Sequence, residues 1–178
     1  DKKLRMEIIL DNKDLDDLVD GHKIQVSIVK EMGKYKYLGE VVKIIGHKND
    51  PGVDILSIIY DHGINDVFTD EVMEEVNALP SEVLDSDRKG RKDLTDMTIF
   101  TIDGDDTKDI DDAISISKKG ENYILGVHIA DVSYYVKEGT ALYKEAYSRG
   151  TSVYLVDRVV PMLPHKLSNG ICSLNPNV

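Results

Sequence analysis

Six carboxylates fall in the ten residues from Asp103 to Asp112, directly behind the β-branched run Thr98-Ile-Phe-Thr-Ile102. Crowded like charges repel and raise one another's pKa, so an ordered cluster of this kind is tolerable mainly where a divalent cation neutralises it. Hard oxygen donors favour magnesium, manganese or calcium over zinc. The spacing also divides the labour. A strand through Ile102 would deliver Asp103 at its end, Gly104 to Thr107 read as a loop, and Asp109 and Asp111 share a side if the chain is extended. Asp112 then points elsewhere. Spacing therefore assigns Asp103, Asp109 and Asp111 to a metal, and Asp112 to a second metal, a water or a substrate.

Three other readings compete on the residues alone. A calcium loop needs glycine at its sixth position and glutamate at its twelfth. Opened at Asp103 the loop offers Lys108 and Ile114, and opened at Asp105 it offers Ile110 and Ile116, so this reading fails. A phosphotransferase of the haloacid-dehalogenase type carries its nucleophile in Asp-x-Asp-x-Thr behind an apolar strand. Asp103-Gly-Asp105-Asp106-Thr107 matches that short motif literally, without the rest of the machinery. A solvated acidic loop with no ligand is the third.

The surrounding chain carries more. Thr101-Ile-Asp103 leads to Asp109-Ile-Asp111-Asp112-Ala113, and His128-Ile-Ala-Asp131-Val-Ser-Tyr-Tyr-Val136 follows. Further on stand Arg149-Gly-Thr-Ser-Val-Tyr154, Asp157-Arg158-Val-Val-Pro161-Met-Leu-Pro164 and Leu167-Ser-Asn-Gly-Ile-Cys-Ser-Leu-Asn175. In this order these segments closely resemble the ribonuclease II / ribonuclease R family, and its ribonuclease R branch more than the other. Gly46-His-Lys-Asn-Asp-Pro-Gly52 and Arg91-Lys-Asp-Leu94 fit the same family.

The resemblance implies a processive 3′→5′ exoribonuclease that threads single-stranded RNA into a narrow channel and releases 5′-nucleoside monophosphates. It implies two magnesium ions, with manganese as a substitute, roughly 3.5–4 Å apart as in other two-metal sites. Asp103, Asp109 and Asp111 match the family's metal-binding aspartates, and Asp112 the one most tied to catalysis. Asp105 and Asp106 vary in the family. Tyr154 aligns with the tyrosine that stacks on a base at the RNA 3′ end, a contact typically worth about 1–3 kcal/mol. The implied fold class is α+β: a partial OB-fold (cold-shock) β-barrel over residues 1–60, a helical connector over 61–90, and the N-terminal part of a mixed α/β RNB catalytic domain over 91–178.

The chain begins at Asp1, not methionine, and ends at Val178, which on this resemblance is early in the catalytic domain. Missing would be the first strands of the cold-shock barrel, the later arginine- and glutamate-bearing part of the catalytic domain and a basic S1 module. The chain alone is therefore expected to be inactive, and its full-length parent to be a monomer that meets RNA-decay or ribosome-associated factors. A non-catalytic RNA-binding module with a vestigial site is the alternative of a different class. Retention of all four aligned aspartates speaks against it.

Composition sets outer bounds. With 41% hydrophobic and 31% charged residues the chain is globular, not disordered. Its single cysteine, Cys172, excludes an internal disulfide framework and suits a reducing compartment, and no apolar run approaches a signal core or a membrane span. Cytoplasmic residence with no membrane partner is the expectation. The net charge of −11 is awkward for a partner of RNA, so weak RNA binding by this chain is expected.

Elements must position these residues. Met6 to Leu10, Lys23 to Val29 and Tyr37 to Ile45 read as strands, with Ile24, Val26 and Ile28 facing inward, and Asp11 to Gly21 as a connector with at most one helical turn. Three strands cannot close a barrel. Val53 to Asp61 shows helical spacing, with a β-branched strand still open. Thr69 caps a helix over 70–79 that Pro80 stops, with Val72, Val76 and Leu79 on one face. Residues 81–93, including Arg88-Lys-Gly-Arg-Lys92, read as a polar linker. Ala113 to Lys118 and Tyr123 to Ala130 flank the turn Lys119-Gly-Glu-Asn122 as a hairpin, with His128 a core histidine and Asp131 a cap or outer support of the site. Thr140 opens a helix through Tyr147 that Gly150 closes. A strand over 151–156 and a loop with a short helix over 161–174 complete the chain, with Cys172 buried.

Overall fold

The computed structural model describes residues 5–11 and 16–176, in two compact units, Asp1–Asp66 and Val67–Val178. Part of the Asp11–Gly21 connector lies outside the described residues. In the first unit, alternating β-branched residues form β1 (Glu7–Leu10), β2 (His22–Gly33) and β3 (Lys36–His47). The sheet order is β1-β3-β2: β2 and β3 form a long antiparallel hairpin, while β1 runs parallel to β3. Among the described residues the sheet does not close into a barrel. Ile24 and Val26 are half-buried as their alternation requires, but Ile28 is 47% exposed. A register shift between Ile28 and Lys30 turns the strand there, since a bulge reverses which face the next side chains meet.

The ambiguous stretch after Gly52 is helical: α1 (Val53–Asp61) buries Val53 and Ile59. Tyr60 Oη donates to Asp66 Oδ1 at 2.8 Å, and Lys43 of β3 reaches the same hydroxyl. The helix is thereby tied to its sheet.

The second unit opens with α2 (Asp70–Ala78), whose cap Thr69 accepts the Val72 N–H as its sequence demands. Two single turns that the sequence does not announce follow, α3 (Asp85–Arg88) and α4 (Val132–Tyr135). They order the linker: Asp87 accepts from Tyr134 and Tyr135 at 3.0 and 3.2 Å, and Arg91 pairs with Asp131 at 2.7 Å. Asp131 stands at the head of α4 with no side-chain capping bond to the backbone; its carboxylate pairs with Arg91 and accepts from the Ser133 hydroxyl at 3.1 Å. Next come α5 (Ala141–Arg149), capped by Thr140 and ended by Gly150 at φ 72°, and a wide π-turn over Leu167–Ile171. Val76 of α2 and Leu167 of the π-turn are fully buried, and α5 adds Leu142 and Ala146 to the same core, where Cys172 also lies. Among the described residues no helix is long and apolar enough to cross a membrane.

The site is carried by the hairpin β4 (Asp112–Lys119) and β5 (Asn122–Ile129), in register from Asp112↔Ile129 to Lys119↔Asn122. The expected strand through Ile102 is reduced to one antiparallel bridge, Phe100↔Ile114. Beyond it the chain peels away and Ile102 is 80% exposed, because no described neighbour pairs with it as a strand. The expected strand over 151–156 shortens to β6 (Val153–Tyr154), paired with β7 (Val159–Val160).

Candidate active site

The geometry of the acidic loop follows from its two ends. Phe100 and Ile114 exchange both backbone hydrogen bonds, at 3.0 and 2.9 Å. The chain therefore leaves and re-enters at nearly the same point, and Asp103 near the exit is brought back toward Asp112 at the return. Within the loop the Thr107 N–H bonds the Gly104 carbonyl. At the return, the Ala130 N–H bonds the Asp111 carbonyl at 2.9 Å, so the end of β5 holds Asp111 as the register holds Asp112.

Behind Asp112 the hairpin is locked from its inner face. Ala113 and Ser115 are buried, and the Ser115 hydroxyl meets His128 Nε2 at 2.9 Å. That contact gives His128 the structural role expected of it. Gly126 is required there, because a Cβ at its position would stand 2.5 Å from Ser115 Oγ and 2.9 Å from His128 Nε2.

Asp103, Asp109, Asp111 and Asp112 share one electrostatic environment. Although Asp111 as a residue is exposed, lost hydration around its carboxyl raises its pKa, and the charges of Asp109, Asp112 and Asp103 push it further the same way. No lysine or arginine relieves it among these causes. Tyr154 donates its hydroxyl to Asp109 Oδ2, and that bond, ahead of desolvation, raises the phenol pKa, so the tyrosine stays a protonated donor at neutral pH. Tyr154 as a residue remains 63% exposed.

A cavity of about 800 Å³ opens beside this pair, within the size range of small-molecule sites. Asp105, Asp106, Asp109 and Tyr154 line it together with His165 and Asn169. Asp103, Asp111 and Asp112 do not line it. Asn169 falls in the Leu167–Asn175 segment that carries the family resemblance, but the sequence did not place it or His165 at the site.

The donor set fits a hard divalent cation: carboxylate oxygens only, with no lysine or arginine among the groups that shift Asp111. The side chains are nevertheless not gathered into a finished coordination sphere. Among the described residues no three Asp, Glu, His or Cys side chains converge to hold an ion, and Asp109 is engaged by Tyr154 instead. The loop thus brings Asp103, Asp109 and Asp112 within reach of the Asp111 charge, and joint ligation of one ion by them would require their side chains to rotate.

Comparison with known proteins supplies context for this site. Residues 91–178 match the RNB domain and residues 1–69 a cold shock domain. The chain is 53% identical to the ribonuclease R of Thermotoga maritima over 164 residues, 88% of this chain and 23% of that protein. Its fold matches Mycoplasma genitalium ribonuclease R in complex with ribose-methylated single-stranded RNA at a TM-score of 0.89 and 31% identity, over 98% of this chain and 28% of that one. The same protein in complex with double-stranded RNA matches at a TM-score of 0.87 and 32% identity, over 98% and 31% of the two chains. The chain spans about a quarter of the length of these relatives.

Proposed function

Because the chain belongs to the RNB ribonuclease family, with an RNB segment over residues 91–178 and a cold-shock segment over residues 1–69, we propose that it carries the carboxylate loop of a 3′→5′ exoribonuclease acting processively on single-stranded RNA. The products are 5′-nucleoside monophosphates. One observation carries this reading: a single loop gathers Asp103, Asp109, Asp111 and Asp112 so closely that lost hydration, and after it the three neighbouring charges, raise the Asp111 pKa, an arrangement costly to a fold without a cation.

Asp103, Asp109 and Asp111 are the residues that would hold magnesium, or manganese in its place. Two such ions, when bound, would acidify the attacking water and stabilise the leaving 3′ oxygen. Asp112, which begins β4, is the carboxylate proposed to act at the reacting phosphodiester. Tyr154 offers an exposed ring to the terminal base while its hydroxyl holds Asp109, linking RNA engagement to the loop. Among the described residues that line the cavity, Lys108 is the one lysine or arginine, and it is the cation that would be available to a phosphate there. The working protein is monomeric and cytoplasmic.

Because the chain spans 23% of the Thermotoga relative, activity is assigned to a polypeptide of that extent and not to these residues alone. The test replaces the matching segment of the Thermotoga enzyme by this chain and follows 5′-labelled single-stranded RNA with magnesium. The chimera shortens RNA to a ladder, Asp112→Asn abolishes the ladder while RNA binding persists, and the 178-residue chain alone gives no turnover. Intact RNA with a folded, RNA-binding chimera would favour the non-catalytic alternative.

A further inference from the structure

We propose that Ser173 is a positioning residue: its buried hydroxyl latches the backbone on both sides of Asp109 and so sets where the carboxylates of the loop can converge. The proposal rests on the metal-site reading of that loop. Ser173 is 4% exposed, one of two buried polar residues among those described, and it lies more than sixty residues away in sequence. Its Oγ accepts the Ile110 N–H at 2.9 Å and donates to the Lys108 carbonyl at 2.9 Å. The next residue adds a third bond, from the Leu174 N–H to the Ile110 carbonyl at 2.9 Å.

Residues 108 and 110 bracket Asp109, so its main chain is fixed from both sides, and Asp111 follows at once with its own carbonyl held by Ala130. A short side chain that donates and accepts together is needed for this task, and serine is the smallest that qualifies. Ser173 is itself anchored. Its N–H bonds the Gly170 carbonyl, the Cys172 N–H bonds the Leu167 carbonyl, and Leu167 is fully buried in the core. A continuous set of bonds therefore runs from the core through the π-turn and Ser173 to the loop that bears Asp109 and Asp111. Groups that orient metal ligands from behind typically change metal affinity 10–100-fold when removed.

The test uses the 178-residue chain as wild type, Ser173→Ala, Ser173→Cys and the control Ala146→Gly, which loosens the same core from α5 without touching the loop. Two quantities are read: amide hydrogen exchange over residues 105–112, and Mn2+ binding followed by the electron paramagnetic resonance signal of the free ion. In Ser173→Ala, exchange over the loop rises at least tenfold and Mn2+ affinity falls about tenfold or more. Ser173→Cys, a poorer donor and acceptor, falls between and decides the matter if the alanine variant does not fold. Ala146→Gly lowers the melting temperature and leaves loop exchange and Mn2+ affinity as in wild type. Unchanged loop exchange in both Ser173 variants overturns the latch. A loosened loop with wild-type Mn2+ affinity overturns the positioning role. A wild-type chain that binds no Mn2+ overturns the metal-site reading and the positioning role with it, while exchange still decides whether the latch exists.

Discussion

Asp111 concentrates the conflict between stability and chemistry. Its pKa is raised first by lost hydration and then by Asp109, Asp112 and Asp103. A carboxyl with a folded pKa above its unfolded value costs stability once ionised. The cost is absent below the unfolded value near 3.9, grows through the interval between the two values, and is complete above the folded one. Asp111→Asn is therefore expected to raise the melting temperature of the metal-free chain at pH 7 by about 1–3 °C, the scale of a partly screened charge interaction in a chain of this size. The gain shrinks toward zero as the pH is lowered to about 4. On the proposed metal reading the order reverses with magnesium, because wild type would gain stability from ion binding and the variant would lack one of the proposed ligands. Thermal melts with chelator and with magnesium across this pH range check all three statements; a variant less stable than wild type at pH 7 in chelator would show that repulsion is not the dominant effect. The sequence displayed the crowding of aspartates. It did not display which of them loses water, since that depends on the return of the loop along β5, nor that Tyr154 would engage Asp109 across 45 residues.

At the scale of elements, α2, α5 and the π-turn hold one another through exchanged charges at their ends. Glu75 of α2 accepts the Ala141 and Leu142 N–H groups at the start of α5, at 2.9 and 2.8 Å. Lys166, at the entry to the π-turn, donates to the Val76, Asn77 and Leu79 carbonyls at the end of α2, at 2.9, 3.2 and 2.8 Å. Carbonyls at a helix end lack intrahelical donors, and an ammonium with three protons satisfies them and the helix dipole together. Lys166→Met keeps the aliphatic stem and removes the donors, and is expected to cost about 1.5–3 kcal/mol in urea melts, the usual range for bonds to a charged group. A loss below about 0.5 kcal/mol would show that water replaces the ammonium at no cost. The helices themselves were legible, because Thr69, Thr140 and Gly150 mark their ends locally, and the β4–β5 hairpin was legible from its Gly-Glu turn. Four-residue α3 and α4 and two-residue β6 and β7 fall below the length at which periodicity speaks. The strand expected before Asp103 failed because a β-branched run fixes an extended backbone but cannot supply a partner. Lys166 and Ser173 were beyond sequence reasoning for a related reason: their partners stand 63 to 90 residues away.

For the whole molecule, the balance of 33 acidic against 22 basic residues, −11 at neutral pH, decides how RNA can be met. Most RNA-binding surfaces gain affinity by releasing counterions from phosphate, and added magnesium weakens them by competing for the same charges. Here the cavity beside the carboxylate loop carries Lys108 as its single lysine or arginine, while the loop itself repels phosphate. The chain alone should bind single-stranded RNA more weakly than about 1 μM at physiological salt, with a log–log salt slope near the value of roughly −0.7 that one phosphate contact produces. Magnesium should act with the opposite sign to the usual one. If magnesium binds as proposed, it neutralises Asp103, Asp109 and Asp111 and removes repulsion along the proposed path of the RNA, so affinity should rise through the millimolar range at constant ionic strength. Asp112→Asn, measured by fluorescence anisotropy of a labelled oligonucleotide, keeps any cleavage out of the measurement, and Asp111→Asn should bind RNA better than wild type without magnesium and respond less to it. Binding that weakens steadily as magnesium is added would place the RNA on a basic surface elsewhere and remove the carboxylate loop from its path.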